Sequence, residues 1–152
     1  MTNILFVCTG NTCRSPMAAA LLQDKDVDGL AVNSAGIFAM EGADASPLAK
    51  QVLNENDIKY DHSSTLLTEK EVDWADVILT MTKSHKDLIN SRFGKTIGKT
   101  FTLKEFVDEG EKDVADPFGG NIDTYRQTFQ ELAELIEKLV EKFAEDGEGL
   151  EA

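Results

Sequence analysis

Apolar positions follow two rhythms along this chain. Short runs (Ile4-Leu5-Phe6-Val7, Leu30-Ala31-Val32-Asn33-Ser34, Val77-Ile78-Leu79-Thr80 and Thr100-Phe101-Thr102-Leu103) alternate with stretches whose apolar residues recur every three or four. The runs predict strands, and the first, apolar on both sides of its pleat, reads as a strand covered on both faces. Strands alternating with helices predict an α/β domain on a mainly parallel sheet. Ser15-Pro16 and Ser46-Pro47 each read as a helix cap followed by the first helical position. The first helix continues through Met17, Ala18, Leu21 and Leu22, and the second spans Leu48 to Glu55. Thr68-Glu69-Lys70-Glu71 has the spacing of a capping box, so a short helix begins there. A further helix is predicted over Ser84 to Arg92, ending near Gly94. The plainest signal comes last: Ile122, Tyr125, Phe129, Leu132, Ile136, Leu139, Val140 and Phe143 form one apolar stripe of a long helix. Asp116-Pro117-Phe118-Gly119-Gly120 reads as a loop. A single domain is therefore expected over 1–145, followed by a frayed acidic tail over 146–152.

Composition narrows the possibilities. At 152 residues and 41% apolar, the chain can bury a core without staples. Its 15 basic and 28 acidic side chains give a net charge of −13, which argues against nucleic acid or an anionic membrane as partner. No apolar run reaches the ~20 residues that span a bilayer. The apolar start, Met1 to Cys8, is short, uncharged and without a small-residue cleavage site, so it reads as a strand. Two cysteines, Cys8 and Cys13, are too few for a disulfide framework, and a cytoplasmic location is expected.

The chemistry is concentrated between the first strand and the first helix, in Cys8-Thr9-Gly10-Asn11-Thr12-Cys13-Arg14-Ser15. A loop that leaves a central strand and enters a helix N-terminus offers main-chain N–H groups to an anion, reinforced by the helix dipole. Gly10 is expected to permit the tight backbone that turns these groups inward. Arg14 can clamp two phosphate oxygens. The same field favours Cys8 as the thiolate, poised for in-line attack on phosphorus to give a cysteinyl-phosphate that water then hydrolyses. Asp116 is the candidate proton donor to the leaving group. Neither a metal nor another cofactor is needed.

Phe6-Val7-Cys8-Thr9-Gly10-Asn11-Thr12-Cys13-Arg14-Ser15-Pro16, taken with Asp116-Pro117-Phe118-Gly119-Gly120, resembles the low-molecular-weight protein tyrosine phosphatase family over nearly the whole chain. The resemblance implies a three-layer sandwich, with a four-stranded parallel sheet flanked by helices on both faces. It implies Cys8 as nucleophile, Arg14 as phosphate clamp and Asp116 as general acid and then base. Ser15 would hydrogen-bond the Cys8 sulfur and ease its departure. Asn11 would hold the loop, tied to Ser34 and His62, although an exposed loop histidine is an equal reading of His62. The substrates implied are phosphorylated proteins, and the enzyme is expected to be a monomer. His85, in a polar helical stretch, is expected at the solvated surface.

The resemblance makes Thr12 the position expected to set specificity. Tyrosine-specific members usually carry a bulky aliphatic residue there, whereas Thr resembles the bacterial protein-arginine phosphatase branch. An aliphatic β-branched group would crowd a planar guanidinium, while a hydroxyl can hydrogen-bond or orient water. Ile122-Asp123-x-Tyr125-x-Gln127-Thr128 also looks like that branch. Hydrolysis of phosphoarginine in proteins is thus expected, with phosphotyrosine the alternative. Members often carry Glu shortly after Ser-Pro-x-Ala, where this chain has Ala18-Ala19-Ala20; the change touches nothing catalytic. Cys13 has two readings: a small packing residue, or a resolving thiol that pairs reversibly with Cys8 under oxidant. Phe38, Met40 and Phe118 have two readings as well, at the pocket rim or in ordinary positions.

Rival readings fare less well. Arsenate reduction on this fold uses three cysteines, and this chain has two. Cys8 and Cys13 five apart, with His62 and His85 remote, do not match zinc-ligand spacing. A phosphate-binding module without turnover would not require a thiol beside Arg14, Ser15 and Asp116.

Overall fold

The four apolar runs become four parallel strands in the structure, a computed structural model that describes residues 1–110 and 112–145. They are β1 (Thr2–Cys8), β2 (Leu30–Gly36), β3 (Val77–Thr80) and β4 (Thr100–Thr102), in the spatial order β2-β1-β3-β4. β1 pairs with β2 from Thr2 opposite Leu30 to Cys8 opposite Gly36, and with β3 from Ile4 opposite Val77 to Val7 opposite Thr80. Successive connections leave β1 in opposite directions along the sheet. Its carboxyl end is therefore a topological switch point, where open α/β sheets form a crevice. Cys8 is the last residue of β1.

Among the described residues six α-helices cover the sheet: α1 (Arg14–Asp24), α2 (Pro47–Glu55), α3 (Glu69–Trp74), α4 (Lys83–Arg92), α5 (Leu103–Phe106) and α6 (Ile122–Glu145). The two-residue period of β1 sends Ile4, Phe6 and Cys8 into one core with residues of α1, α2 and α6. Leu5 and Val7 enter the other core with Val72 of α3 and Ile89 of α4. This gives the three-layer α/β sandwich. In α6, Tyr125, Phe129, Leu132, Ile136, Leu139 and Phe143 are all buried, as their spacing requires. Each such side chain contributes about 1.5–3 kcal/mol by leaving water. No helix among the described residues is long and apolar enough to cross a membrane.

Among the boundaries that differ from the sequence reading, three have a clear physical cause. α1 begins at Arg14 with Cys13 in the cap position, because Ser15 turns its hydroxyl to Cys8 and Asn11 instead of capping the helix. α4 begins at Lys83, one residue early, because the Thr82 side chain accepts from the His85 N–H at 3.1 Å and so caps it. β4 stops at Thr102, which closes a capping box with Glu105 and starts α5; one turn of helix is too short to show a period. The acidic tail over 146–152 lies outside the described residues.

Candidate active site

Where β1 passes into α1, residues 9–13 curl around a cavity of about 260 Å³. Cys8, Thr9, Gly10, Thr12, Cys13 and Arg14 line it, with Asp116 and Phe118 from the loop before α6. Among the described residues, none of the main-chain N–H groups from Gly10 to Ser15 donates to a protein acceptor. Unpaired donors at a helix N-terminus form a cup for an anion.

The backbone device that shapes this cup is Asn11, not Gly10. Asn11 has φ +58°, in the left-handed region, whereas the Gly10 backbone stays outside it. A methyl group at Gly10 would meet only the Thr12 hydroxyl, at an ordinary 3.7 Å. Asn tolerates the left-handed conformation because its short amide can bond locally, and here it is fully buried with both side-chain polar atoms and its carbonyl bonded. Its Oδ1 accepts from the Thr65 N–H (2.9 Å), and its Nδ2 donates to the hydroxyls of Ser15 (2.8 Å) and Ser34 (2.9 Å). Its carbonyl accepts from His62 Nε2 (2.6 Å) and from the Ser64 hydroxyl (2.8 Å). The bond to a carbonyl fixes the His62 proton on Nε2, and burial holds that imidazole below its ordinary pKa. Gly36 closes the other flank: a Cβ there would lie 2.8 Å from both the Asn11 nitrogen and the Thr9 oxygen. Ser64, Thr65 and Gly36 were not singled out from the sequence. They act through backbone approach or loop bonds, which carry no local pattern.

Hydrogen-bond direction follows from this network. Asn11 Nδ2 can only donate, so the Ser15 oxygen accepts and keeps its own hydrogen for Cys8 Sγ, 2.9 Å away. A donor aimed at sulfur stabilises the thiolate. Arg14 is buried with its guanidinium held in place: Nη1 donates to the Val114 carbonyl (2.9 Å), and Nη2 lies 3.6 Å from Asp116 Oδ2. Asp116 is half exposed at the mouth, steadied by the Phe118 N–H donating to its other oxygen at 3.0 Å. The cup thus holds a thiol, a cation and a carboxylate within reach of one phosphoryl group.

Cys13 is buried with its thiol free. Its sulfur lies 3.3 Å from the Tyr125 hydroxyl and 3.6 Å from that of Ser46. Burial, and then the Cys13 contact, push the Tyr125 pKa up. Phe118 lines the cavity while remaining exposed; Phe38 and Met40 are exposed too, and Phe38 lies under the Arg92 guanidinium at 5.9 Å. His85 overturns its surface assignment. Only 9% exposed, it faces inward and sets Nε2 2.9 Å from the Thr9 hydroxyl. Burial, followed by the charge of Arg14, lowers its pKa to about 4.

Sheet, switch point and anion cup together define a class, the cysteine-dependent phosphatases of small α/β type. The chain belongs to the low molecular weight phosphotyrosine protein phosphatase family, whose profile matches residues 3–148. It is 55% identical to a protein-arginine-phosphatase of Geobacillus stearothermophilus, covering 91% of this chain and 94% of that one. It is 45% identical to the low molecular weight protein-tyrosine-phosphatase PtpB of Staphylococcus haemolyticus, over 90% and 96% of the two chains. A solved cysteine-to-serine mutant of YwlE arginine phosphatase with a phosphorylated active-site serine superposes with a TM-score of 0.92. It shares 46% identity, with 95% of this chain and 97% of that one covered.

Proposed function

We propose that this enzyme hydrolyses phosphoarginine in proteins. The Cys8 thiolate attacks phosphorus in line as the phosphorus–nitrogen bond breaks, and Asp116 gives its proton to the departing guanidine nitrogen. The main-chain N–H groups of 10–15 and the Arg14 guanidinium hold the three equatorial oxygens. Water, deprotonated by the Asp116 carboxylate, then attacks the cysteinyl-phosphate. The sulfur–phosphorus bond breaks, phosphate leaves, and the thiolate returns to the Ser15 hydroxyl. Asn11, with Ser34 and His62 behind it, keeps the cup in shape. The same reading has the enzyme work as a monomer in the cytoplasm, without metal or cofactor; the free thiols of Cys8 and Cys13 support a reducing compartment.

The observation that carries the choice of substrate is Thr12 on the wall of the cavity that holds Cys8, Arg14 and Asp116. A hydroxyl at that place accepts or bridges to a guanidinium N–H, whereas a branched aliphatic group would crowd it. The relatives named as arginine phosphatases support the same choice. The test compares kcat/KM on phosphoarginine and phosphotyrosine peptides in wild type and Thr12→Ile. Wild type prefers phosphoarginine, and Thr12→Ile lowers that preference by at least about tenfold. A wild-type preference for phosphotyrosine would reverse the assignment.

A further inference from the structure

His85 and Thr9 make a contact that the mechanism above does not use. His85 is the third residue of α4, its main-chain N–H tied to the Thr82 cap. Its ring is nine-tenths buried, with Nε2 2.9 Å from Thr9 Oγ1, while the buried Nδ1 has no hydrogen-bond partner among the described residues. These facts select a tautomer. A proton on Nδ1 would leave a buried N–H donor unsatisfied; a proton on Nε2 leaves only a lone pair unpaired, the cheaper fault. The ring stays neutral near pH 7, since burial and the facing Arg14 outweigh the carboxylates of Asp113 and Asp116. Nε2–H therefore donates to the Thr9 oxygen, and the Thr9 hydroxyl keeps its own hydrogen for a second acceptor. Thr9 lines the anion cup.

We propose that His85 is a positioning residue that commits the Thr9 hydroxyl to donate to a phosphoryl oxygen, adding one side-chain donor to the main-chain cup. The proposal rests on the phosphatase reading. A neutral acceptor at position 85 would instead turn the Thr9 hydrogen away from the cavity.

The test uses the whole enzyme with para-nitrophenyl phosphate, inorganic phosphate and ring ¹⁵N spectra. In wild type the spectra show a neutral His85 protonated on Nε2. Thr9→Val and His85→Asn, whose amide stops at the Nδ1 position, each lower kcat/KM and phosphate affinity about tenfold. The Thr9→Val/His85→Asn double variant loses no more than either single one. His85→Gln, whose amide nitrogen reaches the Nε2 position, stays within about threefold of wild type. Spectra showing an Nδ1 proton, or additive losses in the double variant, overturn the proposal. A wild type that binds phosphate but does not turn over para-nitrophenyl phosphate would sink the phosphatase reading alone. Phosphate affinity and the spectra would then still decide the role of His85.

Discussion

Replacing Asn11 by Asp changes almost nothing in shape and reverses one hydrogen bond. Asp also tolerates φ +58°, and an oxygen remains to accept from the Thr65 N–H. The Nδ2 donor becomes a carboxylate oxygen, however, so Ser15 must donate to it and can no longer donate to Cys8 Sγ. A hydrogen bond to a charged partner is worth about 1.5–3 kcal/mol. Since about 1.4 kcal/mol is tenfold in rate, the sulfur should leave the cysteinyl-phosphate about 10- to 150-fold more slowly. Stopped-flow hydrolysis of para-nitrophenyl phosphate measures this directly. Asn11→Asp should show a burst of nitrophenolate approaching one per enzyme, then a slow steady state, while urea unfolding confirms a folded protein. Ser15→Ala should show the same burst, and combining the two should add little. Wild-type breakdown of the phosphoenzyme in Asn11→Asp beside a slow Ser15→Ala would refute this chain of donors.

Acid should weaken the fold through His85. Its pKa of about 4 lies below the ordinary 6.5, so the unfolded chain binds the proton more readily; stability is kept above pH 6.5 and lost as the pH falls toward 4. Urea unfolding at stepped pH should show a shallower loss in His85→Gln, and equal slopes would contradict the assignment. Peroxide should inactivate the wild type reversibly, with dithiothreitol restoring activity, whereas Cys13→Ser should stay inactive; equal recovery would leave Cys13 as a packing residue.

Much of this molecule was legible in the sequence because its chemistry is nearly contiguous. Cys8, Arg14 and Ser15 lie within one strand–loop–helix passage, and Asp116 sits in a loop marked by Pro117 and two glycines. The long stripe of α6 and the apolar β1 announced the layers. What was hidden depends on tertiary approach. Lys83, Ser84, Lys86 and Asp87 make the start of α4 look solvated, yet packing turns His85 inward to Thr9. Val114 serves through a carbonyl that every residue possesses. Gly36 matters because two backbones nearly touch there, and Asn11 takes the left-handed turn that glycine content had suggested for Gly10.

Every step proposed for this enzyme passes through covalent turnover at one sulfur. Mass spectrometry of wild-type enzyme, acid-quenched during hydrolysis of a phosphoarginine protein, should find a single phosphoryl group on the peptide carrying Cys8. Steady turnover with that peptide unmodified, or with the phosphoryl group on another side chain, would contradict it.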